Sequence, residues 1–95
     1  MDLVFEWDAQ KAKRNLRKHG ITFDEAITVF DDALATIFAD EDHSGAEQRE
    51  IMVGYSILSR LLLVCFTERP KERVRIISAR KATGPERHEH EKQVP

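Results

Sequence analysis

The alternation of apolar and polar positions along this chain divides it into a helical first third and an extended remainder. Residues 3–7, Leu-Val-Phe-Glu-Trp, read as a short strand. Asp8 can cap the helix that follows, because its carboxylate can accept the free amides of a first turn. Ala9, Ala12, Leu16 and His19 then fall on one helical stripe, with Lys11, Lys13, Arg14, Arg17 and Lys18 off it, and Gly20 stands where a left-handed terminator is wanted. Thr22 to Glu25 has the form of a capping box, in which each side chain satisfies the other residue's free amide. The second helix should present Phe23, Ala26, Ile27 and Phe30 to a core and leave Asp24, Glu25 and Asp31 exposed.

From Leu34 onward the period becomes that of strands, with candidates at 34–39, 50–55, 60–67 and 74–81. The run Leu61 to Phe66 is apolar on both faces, as in a central strand. Residues 40–49 are polar and contain Gly45, a loop by composition. Pro85 to Glu91 can form a short polar helix. This order predicts an α+β fold: two N-terminal helices on one face of an antiparallel sheet, and a short C-terminal helix. At 95 residues the chain is one domain, with residues 82–95 its C-terminal helix and polar tail.

The last candidate strand organises the chemistry. Strict alternation puts Val74, Ile76, Ser78 and Arg80 on one face, and Arg73, Arg75, Ile77, Ala79 and Lys81 on the other. A core strand thus ends in Ser78, Arg80 and Lys81, all able to bind phosphate. Charge distribution strengthens this reading despite a net charge of −2. Residues 1–19 hold five Lys/Arg against three Asp/Glu, and residues 56–81 hold seven against two. Residues 20–55 hold one against nine. Two basic segments around one acidic segment suit a polyanion on one side and a basic partner on the other. The longest apolar run is too short to span a membrane, and the N-terminus lacks signal-peptide character. The single cysteine, Cys65, suits a reducing compartment, so a cytoplasmic chain is expected. The four histidines and Cys65 show no ligand spacing, so no metal and no cofactor is expected.

Several segments match one family in order: Phe5-Glu-Trp-Asp8, Lys18-His-Gly-Ile21, Glu25-Ala26 with Val29-Phe30, and Asp42-His-Ser44 with Glu47 and Arg49. Gly54-Tyr-Ser56, Arg60 and Ile76 to Thr83, with Glu86-Arg87, continue the series. Together they resemble the BrnT toxins of BrnT/BrnA type II toxin–antitoxin systems, from about residue 5 to residue 91. The resemblance implies a RelE-like ribonuclease that inhibits translation. It implies neutralisation by a BrnA-type antitoxin, through which alone the complex meets operator DNA. One departure is that His90 stands where these relatives tend to carry tyrosine. It can stack on a base or pass a proton, or it belongs to a polar tail without a role.

RNA cleavage without a metal needs a base for the 2′-hydroxyl, cations for the phosphorane and an acid for the leaving oxygen. The catalytic candidates are Arg80, Lys18, His19, His43 and Glu47. Arg60, Lys81, Ser78, Arg49 and His90 are the candidates for holding RNA. Arg80 leads, because a guanidinium binds phosphate with two parallel hydrogen bonds and stays charged. Two other readings compete. In one, the chain is a non-catalytic module that partners a DNA-binding protein. In the other, the helix carrying Lys11 to Lys18 binds DNA directly, with strong salt dependence.

Overall fold

A computed structural model describes residues 2–43 and 45–94, the side chain of His43 excepted. Five strands form one sheet in the order β1-β5-β4-β3-β2. They are β1 (Val4–Glu6), β2 (Thr36–Ala39), β3 (Glu50–Tyr55), β4 (Leu61–Arg69) and β5 (Arg73–Lys81). The helices are α1 (Ala9–His19), α2 (Phe23–Ile27) and α3 (Gly84–Gln93), and a 3-10 turn, Thr28–Asp31, continues α2. The sheet is mixed, not antiparallel throughout. Strand β1 lies parallel to β5, so the first strand of the chain pairs with the last. Alternation within a strand sets which side chains share a face, but not which strand lies beside it or in which direction.

The N-terminal helical segment covers one face of the sheet. Ile21, Phe23, Ala26 and Val29 pack against Met52, Leu62, Val64, Phe66, Val74, Ile76 and Ala79 in one core. Trp7 meets Phe23, and Phe30 bridges Phe5 and Phe66, all edge to face, the arrangement favoured by aromatic quadrupoles. Gly54 is required here: a Cβ would lie 2.8 Å from the Ala35 Cβ and 2.9 Å from Val29 Cγ1. The expected stripe of α1 is displaced. Leu16 is 48% exposed and Ala9 is exposed, while the buried residue of this helix is Asn15. Asp8 and Gly20 cap it as expected, with Gly20 at φ 71°.

The second helix brings a further correction. Thr22 Oγ1 accepts the Glu25 amide, which is half of a capping box. The Glu25 carboxylate turns inward instead and is buried. It accepts from Ser56 Oγ at 2.6 Å and from Arg60 through two guanidinium nitrogens. Arg60 holds the Glu25 carboxyl below the usual range, as the Ser56 hydroxyl also does. The apparent surface carboxylate therefore ties α2 to the β3–β4 connection.

The other face of the sheet is only partly open. Val53, Leu61 and Leu63 form a second, smaller core with Ile51 and Ala82. Helix α3 lies over this part of the sheet, with His90 buried beside Tyr55. What remains open is the part of the face floored by β5 and the middle of β4.

Candidate functional site

Strand β5 does not keep strict alternation. Cys65 pairs with Ser78 and Phe66 with Ile76, so Ile77 is an extra residue opposite the junction. Such a bulge reverses the phase of everything beyond it. Ala79, not Ser78, therefore follows Val74 and Ile76 into the core. Ser78 and Arg80 turn to the open face, contrary to the alternation read from the sequence.

The bulge has a matching partner in α1. Strand β1 stops pairing at Arg75, so the outer edge of β5 beyond that point has no strand beside it among the described residues. The Asn15 side chain fills the gap. Its Oδ1 accepts the Ala79 amide at 3.0 Å, and its Nδ2 donates to the Ala79 carbonyl at 2.8 Å and to the Ile21 carbonyl at 2.9 Å. One buried amide group thus fixes the site strand against the C-terminal end of α1, which carries Lys18 and His19.

A cavity of about 520 Å³ opens at this junction. Lys18 and His19 line it from α1, Ser78 and Arg80 from β5, and Arg49 from the residue just before β3. Asp40 and Asp42 form an acidic wall, and Cys65 lies on the floor with its thiol pushed up by burial. A second hollow shares Lys18, His19, Ile77 and Ser78 and runs on past Lys11 and Arg14. The two together form a cationic trough along α1.

Five of the ten candidate residues converge here: Lys18, His19, Arg49, Ser78 and Arg80. Four others do not line the cavity. Glu47 is exposed and pairs with Arg69 at 3.3 Å. Arg60 is held by buried Glu25. Lys81 is the next residue of β5 after Arg80 and so points to the opposite face of the sheet. His90 is not in a frayed tail; it is the buried residue of α3, 4% exposed and 6.4 Å between ring centroids from Tyr55. The side chain of His43 lies outside the described residues. Asn15, Asp40 and Cys65 were not among the site candidates that sequence reasoning offered. A polar residue between the expected apolar stripe and the basic face of α1 was the only signal for Asn15.

Arg80 is already engaged. Its Nη1 and Nη2 donate to Glu86 Oε1 and Oε2, each at 2.8 Å. Glu86 also accepts the Thr83 amide, and Thr83 Oγ1 accepts the Glu86 amide, a complete capping box at the start of α3. Arg80, followed by the Thr83 amide, pushes the Glu86 carboxyl down to about 2. A carboxyl lowered in the folded state adds stability above its ordinary value, and that stability is lost as pH falls through the folded value. The docking of α3 is therefore expected to weaken as pH drops from about 4.5 toward 2. Thermal melts across that range should show a Tm slope that Glu86→Gln reduces; an unchanged slope in the variant would remove Glu86 from this role.

An open sheet face carrying several cations, joined to a basic helix flank, defines a small α+β protein suited to a phosphodiester chain. Residues 7–86 match the family described as "Ribonuclease toxin, BrnT, of type II toxin-antitoxin system". The chain belongs to the BrnT family and is a ribonuclease toxin of a type II toxin–antitoxin system. Its fold is similar to that of the Brucella abortus ribonuclease toxin BrnT, seen in a crystal structure at 1.1 Å resolution, with TM-score 0.66 and 24% identity. That similarity covers 86% of this chain and 99% of the Brucella chain. No curated protein matches. No helix among the described residues is long and apolar enough to cross a membrane.

Proposed function

We propose that this toxin is a RelE-like endoribonuclease that cleaves RNA without a metal, by attack of the 2′-hydroxyl on the adjacent phosphate. The observation that carries this reading is the shared cavity of Lys18, His19, Arg49, Ser78 and Arg80. Arg80 and Lys18 supply charge to the phosphorane, where preorganised cations act most strongly. His19 is the proton carrier, since an imidazole can give or take a proton near neutrality. Lys11 and Arg14 hold the backbone of the RNA leading into the cavity. The toxin acts in the cytoplasm and inhibits translation. A BrnA-type antitoxin neutralises it, and operator DNA is met only through that antitoxin.

One observation favours a second reading. Glu86 occupies both terminal nitrogens of Arg80, as in a protein that uses its arginines as internal salt-bridge donors. In that case the chain is a binding module without turnover. End-group analysis of RNA treated in EDTA separates the two. The nuclease reading expects cleavage leaving 2′,3′-cyclic phosphate ends, with His19→Ala slowing it by about 100-fold or more. Products that all end in 3′-hydroxyl groups, or cleavage only after a divalent cation is added, would overturn the 2′-hydroxyl mechanism, and no cleavage with or without a divalent cation would leave the binding module.

A further inference from the structure

Strand β2 closes one side of the sheet, and β3 is its one strand partner among the described residues. Its sequence, Thr-Ile-Phe-Ala, carries no charge and no proline. Ile37 is 52% exposed and Phe38 50%. Sheet edges are ordinarily blunted by charged side chains, proline or a covering element, because their free amides and carbonyls invite another strand. Here none of those devices lies within the strand.

A groove of about 140 Å³ runs beside this edge, between β2, β3 and α3. Phe38, Val53 and Leu63 give it an apolar floor, and His90 closes it from α3. His90 is 4% exposed, and its Nδ1 has no hydrogen-bond partner among the described residues. A buried ring nitrogen left this way is open to a water or to a polar group brought by a partner. Charge identifies the kind of partner. Exposed Asp31 precedes β2, exposed Glu41 follows it, and Glu89 lines the groove. No Lys or Arg occurs between His19 and Arg49.

We propose that the free edge of β2 and the adjoining groove dock an extended segment of the protein antitoxin in which apolar and basic residues alternate. This rests on the toxin–antitoxin membership established above. Main-chain pairing along β2 would supply affinity, and alternate side chains entering the groove would supply specificity. The basic residues between them would meet the acids at both ends of the strand. Glu86 also lines the groove, so a segment seated there touches the helix turn that holds Arg80.

The test uses the full-length toxin and its protein antitoxin. Phe38→Lys and Glu89→Lys are each expected to weaken the complex by about ten-fold or more in calorimetry, with Tm showing that the variants fold. Hydrogen exchange on the unsubstituted toxin should show residues 36–39 gaining protection in the complex. Equal affinity for both variants, or unchanged exchange at 36–39, would overturn the docking surface and leave the toxin–antitoxin membership intact. Failure of the unsubstituted toxin to bind the antitoxin at all would overturn the pairing on which the proposal rests, and the proposal with it. A toxin dimer in sedimentation that Phe38→Lys dissolves would assign the edge to a second copy and overturn the antitoxin as its occupant.

Discussion

Arg80→Ala is expected to lower the rate of RNA cleavage by about 100- to 1000-fold, the usual consequence of deleting one preorganised transition-state donor. The effect should fall mainly on the chemical step, because charge on the phosphate rises between bound substrate and phosphorane. Single-turnover cleavage in EDTA reads that step directly. Circular dichroism of the variant must match the parent, since Arg80 also joins β5 to α3 through Glu86. Lysine at position 80 should restore only part of the rate. An ammonium offers a point charge without the planar pair of donors that matches two phosphate oxygens. A loss below about three-fold would move the catalytic centre away from Arg80. In the resting protein the two terminal nitrogens face Glu86, and Nε lies outside that pair. Phosphate must therefore share the guanidinium with Glu86 or displace it.

The second large effect is expected from a residue that touches no substrate. Asn15→Leu should destabilise the fold by roughly 3 kcal/mol, because three hydrogen bonds to buried backbone groups are lost together. For a domain of this size that corresponds to a fall in Tm of about 12–24 °C. Leucine keeps the branching of asparagine but is bulkier, so no cavity is left, and lost polar satisfaction together with some overpacking would carry the change. Urea unfolding with an unchanged m-value is the check. The remaining folded fraction should also cleave RNA more slowly, because Asn15 holds the Ala79 backbone that aims Arg80 at the cavity. A Tm shift under about 4 °C would mean that water replaces the amide without cost.

Much of the fold could be read from the chain because its elements are defined by local rules. Asp8 and Gly20 bound α1 through capping and a left-handed turn, both properties of a few adjacent residues. The extended period from Leu34 onward and the apolar run of β4 placed four strands in order. The parallel pairing of β1 with β5 was not legible, since it depends on residues about 70 positions apart. Glu25 misled for a related reason. Its position in the helix marked it as a surface carboxylate, and only the approach of Ser56 and Arg60 allows it to be buried.

The site divides in the same way. Residue types alone determined that Lys18, His19, Arg49, Ser78 and Arg80 were candidates, because phosphate chemistry needs fixed cations and a proton carrier. The sequence also determined the family, through short segments kept in order along the chain. Only the tertiary structure decided that these five residues share one cavity while Glu47, Arg60, Lys81 and His90 do not. The deciding element is one extra residue, Ile77, which reverses the faces of β5. An alternating pattern cannot announce its own interruption. The bulge is defined by pairing with β4 on one side and by the Asn15 amide on the other, and both contacts come from distant parts of the chain.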